Sequence, residues 1–90
     1  MSPVGRMTDG LVTCLRLAAG GRIGRHAAVG NQLLVLLSGD ATVSGDDGVP
    51  VPLRPGQAVS WVSGELHETV SVGGMTALVV EGDRQFSPDS

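Results

Sequence analysis

Short runs rich in Val, Leu and Thr alternate with turn-forming clusters along nearly the whole chain. Leu11–Leu17 alternates residue by residue, with Leu11, Thr13, Leu15 and Leu17 on one side. Residues 32–37 form a short apolar run, residues 41–44 and 49–53 are brief, and residues 57–62 carry Trp61. Residues 67–72 and 75–81 complete the set. Between them lie Gly20-Gly21, Gly30-Asn31, Ser38-Gly39-Asp40, Gly45-Asp46-Asp47-Gly48, Arg54-Pro55-Gly56, Ser63-Gly64 and Gly73-Gly74, all of which read as turns. No segment offers ten or more residues of uninterrupted helical spacing. Leu33–Leu37 taken alone fits a helix, but one five residues long between glycine-bearing turns would not hold together. Strands at this spacing predict an all-β sandwich or barrel.

Details of the pattern place particular strands. Pro50 and Pro52 cannot donate to a ladder, so the strand over 49–53 is expected at a sheet edge. Gly45–Gly48 is expected as a hairpin tip. Leu33 to Leu37 are all apolar, which predicts that both faces of that strand are covered. Residues 1–9 and 83–90 are polar and rich in Pro, Gly and Ser, and are expected to fray. The whole chain, 1–90, reads as one small antiparallel domain with a barrel core over about 11–82 and no internal repeat.

Composition narrows the functional classes. Six Arg, no Lys and nine acidic residues give a net charge of −3, which argues against a nucleic-acid surface. Trp61 and Phe86 are the only aromatics, too few for a single-strand stacking platform. No apolar run approaches the roughly 20 residues of a membrane span, so no membrane association is expected. Residues 1–10 lack the apolar stretch of a signal peptide, and Cys14 has no partner for an intrachain disulfide. Both point to the cytoplasm. Ninety residues bury a marginal core, which predicts help from a metal or a second copy.

The two histidines fall at informative distances from the glycines. Gly20 is followed after five residues by His26, then Ala28, Gln32 and Gly39; downstream come Gly56, Val62, Gly64, His67 and Ser71. This resembles the two motifs of the cupin superfamily. The first runs Gly, five residues, His-x-His, three or four residues, Glu, six residues, Gly. The second runs Gly, five residues, Pro-x-Gly, two residues, His, three residues, Asn. Gly20, His26, Gly39, Gly56, Gly64 and His67 match, while Ala28, Gln32, Val62 and Ser71 depart. The resemblance implies a jelly-roll-like double-stranded β-helix with an inward-facing site. In metal-binding cupins three His and one Glu surround a divalent metal. The equivalent positions here are His26, Ala28, Gln32 and His67.

Ala28 has no ligand atom, and Gln32 offers only a neutral amide. Two imidazoles and one amide are a minimal set for Fe, Mn, Ni or Zn. Glu65, in the loop before His67, is a candidate to supplement them, whereas Glu68 is expected to point away. The leading expectation is a small organic ligand bound in the barrel interior by His26, Gln32, Trp61 and His67, with or without metal, and with Leu34 and Leu36 as apolar wall. Trp61 reads either as core or as pocket wall. The alternatives are an enzyme of dioxygenase, isomerase or polyketide-cyclase type using His26 and His67, or a non-catalytic accessory dimer. Arg25 reads as a surface residue, Cys14 as a small buried hydrophobe, and Asp46-Asp47 as a turn. A homodimer through sheet packing or strand exchange is expected.

Overall fold

The computed structural model describes residues 11–82, which form eight β-strands and no helix. They are β1 (Leu11–Leu17), β2 (Arg22–Ala27), β3 (Asn31–Gly39), β4 (Ala41–Ser44), β5 (Val51–Leu53), β6 (Ala58–Trp61), β7 (Leu66–Val70) and β8 (Met75–Gly82). The expected frayed ends, 1–9 and 83–90, lie outside the described residues. One antiparallel sheet has the order β1-β8-β3-β6 and the other β2-β7-β4-β5. The proline-bearing β5 is an edge strand, as the missing donors require. Residues 45–48 close the β4–β5 connection with a Gly48 N–H to Gly45 carbonyl bond of 3.0 Å.

Register arranges the inner face in layers. Across the first sheet, Leu11, Glu81, Gln32 and Trp61 stand side by side, and the next layer is Thr13, Val79, Leu34 and Val59. Leu15, Ala77 and Leu36 lie deeper. Across the second sheet, His26 pairs with His67, and Ile23, Thr69 and Val43 form the layer below. The core comprises Leu34, Leu36, Ala41, Val43, Leu53, Trp61, Met75 and Ala77, with Ala28. Fully burying a side chain such as Leu36 stabilises the fold by about 1.5–3 kcal/mol. Alternation carries the arrangement: Gln32, Leu34 and Leu36 are buried while Leu33 and Val35 are half-buried on the outer face.

The end away from the histidines is fixed by close backbone contacts. Gly39 has φ +86°, and a Cβ there would lie 2.1 Å from the Gly74 carbonyl oxygen, so only glycine fits. The Asp40 carboxylate accepts from Val72 N–H at 2.9 Å and Gly73 N–H at 2.7 Å. Those two bonds, foremost the one from Val72, hold its pKa below the ordinary Asp value. Ser71 donates to the Asp40 carbonyl and accepts from Gly74 N–H.

One expectation is corrected. Cys14 is exposed, because it lies on the outer face of the edge strand β1 rather than among the inward residues. The outer face of β3, whose covering is expected from a second copy, is open within one chain. Val35 stands between Leu78 and Ala58, and Leu33 between Val80 and Ser60, on an open outer face continued by Val12 and Cys14. Leu37 is 47% exposed beside it, at a register shift between Leu36 and Ser38.

Candidate functional site

The functional candidates meet where the first inner layer of one sheet faces that of the other. His26 and His67 are register partners on β2 and β7, with ring centroids 4.3 Å apart. Trp61, on β6, also packs against His67, with ring centroids 4.4 Å apart and the ring planes 31° apart. Gln32 is beside Trp61 in register, and its amide nitrogen donates to Glu81 Oε1 at 3.4 Å. His26, Gln32, Trp61 and His67 thus form one continuous group, with Glu81 at its end.

The two imidazoles differ in environment. His26 lies on an edge strand and is exposed, with Nδ1 2.8 Å from the Gly24 carbonyl. A carbonyl only accepts, so Nδ1 carries the proton and Nε2 is left with the lone pair. A register shift between Ile23 and His26 turns the ring towards His67. His67 is 5% exposed, and neither ring nitrogen has a hydrogen-bond partner among the described residues. Burial pushes its pKa below the usual histidine range, and His26 pushes it the same way, while the Glu65 carboxylate opposes both.

The surrounding loops are tied together by side chains. Asn31 Oδ1 accepts from Ser63 N–H at 2.9 Å, and Asp46 Oδ1 from Leu66 N–H at 2.7 Å. Arg25 donates to the Gly45 and Asp46 carbonyls at 2.8 and 3.0 Å, so it is a surface clamp. Glu65 does not reach the histidines with a hydrogen bond: its Oε1 accepts from Val62 N–H at 3.1 Å, and its Oε2 lies against Gly45. Glu68 pairs with Arg22 on the outer face, away from His67. Asp47 accepts from Val49 N–H and helps shape the 45–48 turn.

One part of the expected pocket sits elsewhere. Leu36 is fully buried one layer below Leu34, so it is core and does not wall the site. Ala28 lies just beyond β2 and is 4% exposed, its N–H bonded to the Glu65 carbonyl at 2.9 Å. A cleft of about 390 Å³ opens between β5 and β6, the unpaired edges of the two sheets. Val43, Val51, Val59, Ser60, Trp61 and Glu65 line it, together with the 45–47 turn, and neither histidine does. Trp61 therefore serves both roles, as core and as the partition between this cleft and His67.

Glu81 is a site residue that the sequence pattern contained and the motifs did not. Met75, Ala77, Val79 and Glu81 alternate along β8, so the carboxylate shares the inner face with the core residues below it.

The donor set does not suit a firmly held dication. No group of three His, Cys, Asp or Glu is placed to hold a metal among the described residues. His26 and His67 each offer one lone pair, and Gln32 offers a neutral oxygen. The Glu81 carboxylate is turned to the Gln32 amide.

Two four-stranded antiparallel sheets with these inward side chains define the chain as a double-stranded β-helix protein. The cupin-domain family model matches residues 14–81, and the chain belongs to the cupin family. No curated protein sequence matches it. Among solved structures it is similar to a conserved Streptococcus pyogenes protein of unknown function, with a TM-score of 0.77 and 26% identity over 90% of this chain and 70% of that one. It is also similar to the KdgF protein of Halomonas, with a TM-score of 0.78 and 19% identity over 91% and 76%. A cupin superfamily protein of Desulfitobacterium hafniense gives a TM-score of 0.73 and 16% identity over 89% and 83%. The last two likenesses concern the fold alone. No helix among the described residues is long and apolar enough to cross a membrane.

Proposed function

We propose that this cupin binds a small organic ligand at the histidine end of its barrel without needing a metal. The observation that carries the reading is His67. An imidazole 5% exposed with both nitrogens unpartnered costs stability, and an organic ligand offering one acceptor and one donor would satisfy it. Trp61 supplies a flat apolar face beside it, and Gln32 a polar edge. The test is native mass spectrometry with elemental analysis on protein purified without chelator. A retained organic mass and no stoichiometric metal are expected. Stoichiometric Fe, Mn, Ni or Zn refutes the metal-independent reading.

One observation favours a second, enzymatic reading. Burial lowers the His67 pKa, which keeps the ring a neutral base at physiological pH, next to a His26 ring that is open to solvent. Loss of a turnover in His67→Ala with ligand binding retained would establish it.

The open outer face of β1-β8-β3-β6 supports a homodimer. Its rows centre on Leu33, Val35, Leu78 and Val80, and Arg16 is the charged side chain those strands place on it. The unpaired, exposed Cys14 fits a reducing compartment, which supports a cytoplasmic location.

A further inference from the structure

We infer that the ligand donates hydrogen bonds and carries no negative charge, and that Glu81 sets this preference. The inference rests on the ligand-binding reading above and adds the chemistry of what is bound. A histidine pair by itself suggests an anion site, because imidazolium attracts carboxylates and phosphates. The inner face says otherwise.

Acceptors dominate the group. Glu81 presents a carboxylate from the row that holds Gln32 and Trp61. Gln32 spends one of its two amide N–H groups on that carboxylate, which turns its own carbonyl oxygen the other way. His26 spends Nδ1 on the Gly24 carbonyl, so Nε2 accepts. His67 has one acceptor nitrogen and one donor, both unpartnered. Glu65 adds a second carboxylate close enough to act on His67 electrostatically. The donors that these polar side chains leave for a ligand are both neutral, one N–H on His67 and the second amide N–H of Gln32.

No arginine among the described residues offsets those carboxylates. Arg16 lies on the outer face of β1, in register with Thr76. Arg22 is on the outer face and paired with Glu68. Arg25 is held by the carbonyls of the 45–48 turn, and Arg54 is exposed in the β5–β6 connection. An anion placed near Glu81 and His67 would meet a carboxylate with no fixed positive charge and only neutral donors to solvate it. A hydroxyl-bearing or amine-bearing molecule would instead find acceptors in the Glu81 carboxylate and the free lone pairs of His26 and His67, beside the apolar ring of Trp61.

The experiment titrates full-length protein with three molecules on one skeleton: glucitol, glucamine and gluconate. They differ at one carbon, which bears a hydroxyl, an ammonium or a carboxylate. A second set, benzyl alcohol, benzylamine and benzoate, offers a flat face for Trp61. The readout is the NMR shift of the Trp61 indole N–H and the His67 ring. Saturable binding of the alcohol or the amine at least about tenfold tighter than the carboxylate is expected in one or both sets. Glu81→Gln, which keeps an acceptor for Gln32, is expected to narrow that ratio to below about threefold by improving carboxylate binding. Tightest binding by the carboxylate, or an unchanged ratio in Glu81→Gln, overturns the inference while leaving ligand binding intact. No saturable response to any of the six overturns the ligand-binding reading itself.

Discussion

Replacing His67 by leucine is expected to make the protein more stable, although it removes a central residue of the candidate site. The ring is 5% exposed and both nitrogens lack partners. One buried unsatisfied polar group costs about 1–3 kcal/mol. Leucine fills a similar volume with apolar atoms, and forfeits the ring contacts with Trp61 and His26, of which an aromatic pair gives about 0.5–1.5 kcal/mol. The balance is a gain of about 1 kcal/mol at pH 7.5, or a rise of about 4–8 °C in Tm for a domain of this size. The pH dependence sharpens the test. The folded pKa of His67 lies below the unfolded value of about 6.5. The unfolded chain therefore binds the proton first as pH falls. The native protein has its full His67-linked stability above that value and loses it on acidification, by at most about 1.4 kcal/mol per pH unit, until the folded pKa is reached. His67→Leu lacks this loss, so the gap between the two proteins widens from pH 7.5 to 5.5. Guanidinium titration at one protein concentration, followed by the fluorescence of the single tryptophan, measures both quantities. A variant less stable than the parent at pH 7.5, or a gap that does not grow at pH 5.5, refutes the reasoning.

Gly39→Ala is expected to destabilise the fold by about 3 kcal/mol or more, since a Cβ there meets the Gly74 carbonyl at 2.1 Å, and thermal melting reads this directly. Asp40→Ala is expected to melt below the parent at pH 7. Its deficit shrinks below about pH 4, because the parent loses the Asp40 bonds as the carboxylate protonates through its lowered folded pKa. Ala28→His with Gln32→Glu is expected to convert the site into one that retains a divalent metal stoichiometrically, as elemental analysis would show, whereas the parent retains none. Light scattering at micromolar concentration is expected to give twice the chain mass for the parent and a single chain mass for Val35→Glu, whose charge falls in the middle of the open sheet face.

Much of this fold is legible in the chain because its strands alternate cleanly and its turns carry glycine. Leu11–Leu17 and Ala41–Ser44 are both readable to the residue. β2 is not, because Arg22–Ala27 is polar, contains Gly24 and Arg25, and has a register shift that breaks the two-residue period. Only the spacing of His26 from Gly20 marks it. The pairing of His26 with His67 and the stacking of Trp61 on His67 depend on which strands become neighbours, which spacing along one chain does not encode. Glu81 is hard to single out for a different reason. Its alternation with Val79 and Ala77 is visible, but no motif draws attention to the end of that strand. Cys14 shows the limit of residue-type averages, since the same alternation that buries Leu15 and Leu17 turns Cys14 outward.

The side-chain ties among the loops at the histidine end have a thermodynamic consequence. Asn31, Asp46, Arg25 and Glu65 already restrain the 28–31, 45–48 and 62–66 connections without any ligand. A guest arriving there has little chain left to freeze, so its capture should resemble a key entering a finished lock. Calorimetry would then report a heat-capacity decrement no larger than the surface of the guest accounts for, and the amides of Ser63 and Leu66 would exchange with deuterium as slowly before binding as after it.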